Sequence, residues 1–544
     1  MRPRLLILLA VLACVGCHTT SGVRPQLFGD LGSYTRAVTT VSKPAREFFS
    51  EGLLLAYAFN YDEADRSFRE AARLDPTMAL AWWGVALVNG PHINSPMLDE
   101  AHSRAAWAAV EETQKLKSGA SDVERALIDA MARRYAPTYS ADRRALDEDY
   151  ARAMAEVYER FPNDFDVATL YAESLMDLQP WDLYTRDGKS KGSTDSIVQV
   201  LEGVLRQAPD HPGACHLYIH AVEASKSPER AVAAADRLRS LVPGASHLVH
   251  MPSHIYTRVG RYTDAALSNE QAIAADDAYL ARSATHNIYH FYRLHNYHFL
   301  SYSHMMAGRF EDALRAADAL FTRIPSDYLE REAALTDGFL AMRTHVLVRF
   351  GKWEELLAEP RPASHYPVSI AFWHYARGLA ASALGDIARA QRELAEFERA
   401  RGVVNESIHI GLNPASTIFE IAHHMLRGEL AFRERRHDES FALLRHAAEL
   451  EDQIIYDEPP DWIQPVRHAL GALLVQAIRH LEAEAVFRDD LTRNPENGWA
   501  LYGLVHCLEA RGAGADAKLA RDRFTRAWQK ATFELKSSCA CQPW

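Results

Sequence analysis

Cysteine, long apolar runs and excess basic charge are all scarce in this sequence. The 544 residues include only six cysteines, too few for a disulfide-stapled scaffold. Beyond the first segment no window approaches eighteen apolar residues, so no membrane-spanning helix is expected there. The 60 Lys and Arg residues are outnumbered by 72 Asp and Glu, which gives a net charge of −12. This balance argues against nucleic-acid binding, because that function requires a basic surface.

Familiar enzyme signatures are absent as well. The sequence has no Gly-rich phosphate loop, no dinucleotide-binding fingerprint, no Gly-x-Ser-x-Gly elbow and no His-Glu-x-x-His zinc-protease motif. Whether the protein is an enzyme is therefore left open by the sequence, and catalytic residues are not assigned.

The first seventeen residues have the pattern of an export signal. Arg2 and Arg4 precede a nine-residue apolar run, which is too short to span a bilayer, and Cys14 and Cys17 follow. This resembles a bacterial lipoprotein signal, in which a cysteine is lipidated; Cys17 is favoured and Cys14 is the alternative. An ordinary cleaved signal or an N-terminal anchor also fits. The resemblance implies a bacterial cell-envelope protein, lipid-anchored to the outer or inner membrane and facing the periplasm or the outside.

A repeated pattern of small and large residues follows a tether expected over residues 18–43. The first copy consists of Phe48, Gly52, Ala64, Phe68, Ala71 and Pro76. This spacing predicts an amphipathic helix, a turn and a second amphipathic helix, with the small residues allowing close helix contact. Further copies include Cys215, Val249, Tyr297, Gly378, Gly428, Gly471 and Trp499.

These units resemble the tetratricopeptide repeat, a helix–turn–helix of 34 residues. About eleven or twelve units cover residues 44–530, and residues 531–544 form a C-terminal tail. The expected fold is an all-α, right-handed α-solenoid, in which each unit buries its apolar face on its neighbours.

Histidine is concentrated in one part of this array. Eleven of the 25 histidines lie between His211 and His304, where an even distribution would place about four. His216 and His220 form an i,i+4 pair, and His250 and His254 repeat this pair 34 residues later, which is one repeat length. His286 and His290 are a third such pair.

Two histidines at i,i+4 are able to chelate one metal ion from a helix face, and imidazole suits zinc, copper or iron. The six paired histidines are therefore candidate ligands for a metal ion or cluster. Five further residues are candidate groove or supporting residues, with carboxylates orienting imidazole rings. They are His247, His295, His298, Glu173 and Glu223.

The resemblance to tetratricopeptide proteins implies that these histidines line the concave groove, where such proteins bind ligands. The alternative to a metalloprotein is thus a non-catalytic scaffold that binds a protein or peptide partner in this groove. Residues 90–96, 250–256, 457–462 and 497–501 together resemble a family of exported bacterial tetratricopeptide lipoproteins. That resemblance implies the fold and a location in the cell envelope, and no activity.

Overall fold

The computed structural model of this chain describes residues 25–282 and 289–540. Over these residues the protein is built from α-helices, with one antiparallel hairpin formed by β1 (His409–Ile410) and β2 (Asn413–Pro414). The prediction of an all-α fold is confirmed. Among the described residues, no helix combines the length and apolar character that crossing a membrane requires.

Backbone contacts divide the chain into two compact units. The first contains residues 25–255 and Gln271–Tyr289, and the second contains Tyr256–Glu270 and residues 290–540. The first unit holds α1 (Lys43–Tyr57), α2 (Tyr61–Leu74), α3 (Ala79–Val88), α4 (Glu100–Leu116), α5 (Asp122–Arg134), α6 (Arg144–Arg160), α7 (Phe165–Met176), α8 (Thr194–Gln207), α9 (Pro212–Val222), α10 (Val232–Leu241) and α11 (Ser246–His250).

The chain passes from one unit to the other within α12 (Pro252–Arg258) and α13 (Tyr262–Leu280). The later helices are α14 (Tyr289–Met306), α15 (Phe310–Thr322), α16 (Ser326–Arg331), α17 (Ala333–Leu340), α18 (Met342–Arg349), α19 (Trp353–Ala358), α20 (Pro367–Ala383), α21 (Ile387–Gly402), α22 (Ala415–Arg433), α23 (His437–Glu451), α24 (Val466–Gln476), α25 (His480–Arg493), α26 (Gly498–Ala510) and α27 (Gly514–Ala527).

The helices pack as the repeat pattern predicts. In the first unit the buried Phe68 ring of α2 lies against Gly52 of α1 and Gly84 of α3, where an added methyl group would collide with the ring. In the second unit Phe487 of α25 lies in the same way between Gly471 and Gly503. A large side chain on the second helix of a pair thus fills the space opened by glycines on the helices before and after it. This is tetratricopeptide-like helical-repeat packing.

Substituting Gly84 with alanine is expected to destabilise the first unit by about 1–3 kcal/mol, because the new methyl group overpacks the Phe68 ring. Gly203, a half-buried glycine of α8, has only an arginine side chain near its added methyl group. Gly203→Ala is therefore expected to raise the free energy of unfolding by up to about 1 kcal/mol through helix propensity. Urea unfolding of both variants measures these opposite changes in the free energy of unfolding. Equal changes in the two variants would contradict the close contact between Gly84 and Phe68.

The described part of the segment expected as a tether, residues 25–42, makes hydrogen bonds to the first unit. Arg36 donates hydrogen bonds to Asp164 (2.7 Å) and Asp166 (2.6 Å), and its side chain is buried. The backbone N–H of Thr39 donates to Glu124 (2.7 Å). Carboxylates of the first unit therefore hold this segment in place, a tertiary effect that the Ser- and Thr-rich composition does not reveal.

Candidate metal centre

The helix α9 presents two histidines on one face. His211 caps the helix, because its ring nitrogen Nδ1 accepts a hydrogen bond from the Ala214 backbone N–H (3.1 Å), and Pro212 occupies the first helical position. This start places His216 and His220 one turn apart, with ring centroids 4.8 Å from each other. Both side chains are buried within the first unit.

A third imidazole from the next repeat meets this pair. His247, near the start of α11, lies with its ring centroid 4.9 Å from that of His216 and 6.3 Å from that of His220. The three residues bring one ligand nitrogen each to within 4.8 Å of one another. We call His216, His220 and His247 the buried triad. From the sequence His247 was expected in a supporting role, whereas the structure places it among the converging nitrogens.

Hydrogen bonds fix the orientation of two of these rings. His216 Nδ1 lies 2.6 Å from the carbonyl oxygen of Tyr57, and His220 Nδ1 lies 2.8 Å from Oε1 of Glu223. Each bond requires a proton on Nδ1, because a carbonyl or carboxylate oxygen only accepts, and this leaves the lone pair on Nε2. Both Nε2 atoms are buried and have no hydrogen-bond partner among the described residues. This is the arrangement of metal-ligating histidines, whose second nitrogen is held by an oxygen acceptor.

Aromatic side chains enclose the triad. The Phe59 ring lies 4.6 Å from His216 and 5.6 Å from His247, and Trp181 meets His220 edge-on at 5.0 Å. A cavity of about 10 Å³ beside His220, Trp181 and Ile93 has room for one water-sized group. The surroundings are therefore apolar, and burial lowers the pKa of both His216 and His220. The neutral, ligating form of each imidazole is favoured.

Phe59 itself was not singled out from the sequence. It follows the end of α1 with a φ of 54°, a left-handed conformation in which glycine is the usual residue. This conformation lays its ring over the triad and, on the far side, against His92 at 4.4 Å. In the sequence, a phenylalanine at a position where a helix commonly ends in glycine could have pointed to this residue.

The expected open groove is not how the structure presents these histidines. His216 and His250 are fully buried, and His220, His247 and His254 are no more than 6% exposed. Trp181 comes from the segment between α7 and α8, and its indole N–H donates to the carbonyl of Ile93 (2.9 Å) in the loop after α3. These two loops lack helical periodicity, so their covering role was invisible in the repeat pattern. Peptide recognition needs accessible side chains, and burial argues against it at this point.

The second predicted pair lies beside the triad and is joined to it by Glu223. Nδ1 of His254 is 2.6 Å from Oε2 of Glu223, and Nε2 of His254 is 2.9 Å from Nε2 of His250. Burial alone would raise the pKa of Glu223, but His254 and His220 lower it to about 2. Glu223 is thus an ionised carboxylate held between two imidazoles.

Glu173 lies elsewhere in the first unit. It accepts a long hydrogen bond from the Tyr61 hydroxyl (3.4 Å), and burial raises its pKa, partly offset by Arg134. Asp177, one turn later, pairs with Arg134 at 2.8 Å. Of the two carboxylates expected near the histidines, only Glu223 contacts them.

The remaining candidates are His286, His290, His295, His298 and the two signal cysteines. His286 and the cysteines Cys14 and Cys17 lie outside the described residues. His290, His295 and His298 lie on α14 in the second unit, where their rings contact Tyr328, Phe299 and Phe339 respectively. Within that unit these contacts are aromatic packing.

Two buried histidines of the second unit predict acid sensitivity. Burial lowers the pKa of His298 to about 3, with help from His345, and lowers that of His345 to about 4. Below about pH 6.5 these histidines are protonated in the unfolded chain but stay neutral in the folded unit. The free energy of unfolding therefore decreases as the pH falls toward these two pKa values. Each histidine contributes about 1.4 kcal/mol per pH unit in that window.

We expect the melting midpoint to fall steeply between pH 6.5 and pH 4, and the fall to be shallower in the H298Q/H345Q double variant. Thermal unfolding followed by circular dichroism across this range measures both slopes. Identical slopes in the two proteins would contradict the assignment.

The comparisons with known proteins assign no role to the residues of this site. No protein-family model and no curated protein matches the chain. Among solved structures it is similar to the human IFIT1 dimer with m7Gppp-AAAA (10% identity, 90% of this chain and 91% of that chain, TM-score 0.32). It is also similar to the Cut9–Hcn1 APC/C hetero-tetramer (13%, 85% and 76%, 0.29) and to yeast Tom70 (12%, 89% and 92%, 0.28). At such identities and scores no ligand or residue role is carried over.

Proposed function

We propose that this protein is a metal-binding helical-repeat protein whose buried triad holds a transition-metal ion. The observation that carries the proposal is the pair of buried Nε2 atoms on His216 and His220, each left without a hydrogen-bond partner in the described chain. An unsatisfied buried polar atom costs about 1–3 kcal/mol, and a bound cation would remove this cost at both positions.

The ligand atoms of the triad restrict which metal ions would bind. Three imidazole nitrogens with no carboxylate oxygen among them suit zinc, copper or iron, and are a poor match for magnesium or calcium. Two nitrogens on a tetrahedral zinc ion lie roughly 3.3 Å apart at Zn–N distances of 2.0–2.1 Å. The triad nitrogens lie within 4.8 Å of one another, so binding of an ion requires them to move closer together. Three protein ligands leave a fourth position for water or a small ligand, as in catalytic zinc sites.

The test is the metal content of the purified full chain, measured by elemental mass spectrometry. We expect stoichiometric zinc, copper or iron in the wild type and a lower content in the H216Q/H220Q variant, which lacks the ion of the triad. The H298Q/H345Q variant is the matched control, since it removes two buried imidazoles outside the triad and should retain the metal. Equal metal content in the wild type and in H216Q/H220Q would refute the proposal.

We also propose that the protein is exported and anchored in the bacterial cell envelope by a lipid on Cys17. The lipoprotein-like pattern of the first seventeen residues supports this, as does the resemblance to exported bacterial tetratricopeptide lipoproteins. Labelling with a fatty-acid analogue in bacterial cells is expected to mark the wild type and the C14S variant but not C17S. Labelling of C17S, with loss in C14S, would move the lipid to the alternative cysteine.

We also propose that the helical repeats of this chain bind a protein or peptide partner. Stacked helical repeats present extended surfaces that commonly bind proteins or peptides. Because the histidines of the triad are buried, such a partner would contact other parts of the repeats. Cross-linking in cells with the wild type and with H216Q/H220Q separates the two roles, and we expect the same partners to be captured by both.

A further inference from the structure

Glu223 contacts one imidazole from each of two histidine groups. Its Oε1 atom is 2.8 Å from Nδ1 of His220, a member of the buried triad, and its Oε2 atom is 2.6 Å from Nδ1 of His254. The side chain is 1% exposed. A carboxylate beside Nδ1 is the usual outer partner of a metal-ligating histidine, and here one carboxylate contacts two rings.

His254 resembles His220 in having Nδ1 beside an oxygen of Glu223. The 2.6 Å contact with the Glu223 carboxylate favours the tautomer of His254 that carries its proton on Nδ1, and this turns the lone pair of Nε2 toward His250, whose own Nε2 lies 2.9 Å away. Because one of these two nitrogens accepts, His250 donates through Nε2, and its Nδ1 faces the Ser253 hydroxyl at 3.5 Å. Two imidazole nitrogens thus meet in a second buried position, at the end of α11 and the start of α12.

We propose that the buried histidines form a two-cation centre: the triad holds one transition-metal ion, His250 and His254 hold a second, and Glu223 positions a ligand of each. This inference rests on the proposed function of the triad. The chemical class is that of ions which prefer imidazole, with zinc and copper first.

Loading the second position requires one internal proton shift. His250 moves its proton from Nε2 to Nδ1, and this N–H faces the Ser253 oxygen, which is a hydrogen-bond acceptor. Nε2 then binds the ion as a neutral ligand. No proton leaves the pair, and no oxidant or reductant is needed. The two Nε2 atoms must separate from 2.9 Å to roughly 3.3 Å to share a tetrahedral zinc ion, which is a small rotation for two side chains.

Charge favours a second cation at this place. The two oxygens of the buried Glu223 carboxylate lie 2.8 Å from His220 Nδ1 and 2.6 Å from His254 Nδ1, so this acidic side chain stands between the two positions. A buried negative charge is costly unless a positive charge lies close to it, and ions on both sides of Glu223 supply that charge.

Metal counting tests the inference on the full chain. Chelator-treated protein is reloaded with excess zinc, freed of unbound ions, and measured by elemental mass spectrometry. We expect two zinc ions per chain in the wild type, one in H250Q/H254Q and one in H216Q/H220Q. The E223Q variant is expected to bind zinc about 10–100-fold more weakly at both positions, while circular dichroism shows its helices intact.

Each alternative count has a separate meaning. One ion in the wild type, retained by H250Q/H254Q, would overturn the second position and leave the triad standing. One ion that either double variant loses would indicate a single shared site and would also overturn the inference. Wild-type counts that H216Q/H220Q preserves in full would instead overturn the proposed function of the triad.

Discussion

Replacing His216 and His220 together with glutamine is expected to weaken zinc binding at the triad by about ten-thousand-fold. Structural zinc sites bind with about 10–16 kcal/mol from four ligands, so two ligands account for about 6 kcal/mol, and each 1.4 kcal/mol is a factor of ten. Competition titration with a chromophoric zinc chelator measures the affinity. The H250Q/H254Q variant lacks the proposed second position and leaves the triad as the site to be measured. The affinity should therefore be compared with and without H216Q/H220Q in an H250Q/H254Q protein.

Matched controls decide whether the loss is specific. The H298Q/H345Q variant removes two buried imidazoles of the second unit and should bind zinc as the wild type does. Glutamine keeps much of the side-chain volume, and the helical circular-dichroism signal reports whether each variant is folded. A folded H216Q/H220Q variant with wild-type affinity would show that the triad is not the binding site.

Replacing Asp166 with alanine is expected to lower the free energy of unfolding of the first unit by about 3–5 kcal/mol. The buried Asp166 carboxylate accepts hydrogen bonds from Tyr57 (2.6 Å), Arg36 (2.6 Å) and Tyr34, and lies 3.1 Å from His211. Burial alone would raise its pKa, but His211 and Arg36 hold it well below its usual range. Removing the carboxylate leaves a partly uncompensated buried guanidinium and several donors without their acceptor.

Asp210 provides the comparison for this substitution. Its ion pair with Arg237 (3.0 Å) is largely exposed, at 67% and 46%, so Asp210→Ala should change the free energy of unfolding by less than about 1 kcal/mol. Urea unfolding measures both variants, and hydrogen exchange over residues 25–42 is expected to accelerate only in Asp166→Ala. Equal, small effects would show that this carboxylate does not hold the N-terminal segment.

Asp166 also connects stability to the proposed metal site. The Tyr57 side chain is held by Asp166, while the Tyr57 carbonyl orients His216. Asp166→Ala should therefore weaken zinc binding even though the carboxylate does not contact the triad. An unchanged zinc affinity in a folded Asp166→Ala protein would show that Asp166 does not set the orientation of His216.

Much of the architecture was readable from spacing alone. Gly52 and Ala64 were predicted to let two helices approach with Phe68 filling the space beside them, and the structure adds that Phe68 also meets Gly84 of the following helix. Such contacts are local in sequence and recur with the repeat, so a periodic pattern contains the necessary information. His216 and His220 were found in the same way, from an i,i+4 spacing on one helix.

The parts that spacing missed depend on distant segments. The carbonyl of Tyr57 and the ring of Phe59 reach His216 from about 160 residues away, across helices whose packing no single unit reveals. Trp181 comes from a loop without periodicity, so the burial of the triad was not foreseen. Glu173 has the expected helical position, but Tyr61 supplies its contact instead of a histidine.

The central claim is that a metal ion sits on the buried triad, and anomalous X-ray scattering tests it most directly. Crystals of the zinc-loaded full chain, measured above and below the zinc absorption edge, are predicted to show a peak about 2.0–2.1 Å from Nε2 of both His216 and His220, with His247 as the third ligand. An anomalous map with no peak at these three side chains, from protein shown to be loaded, would contradict the account.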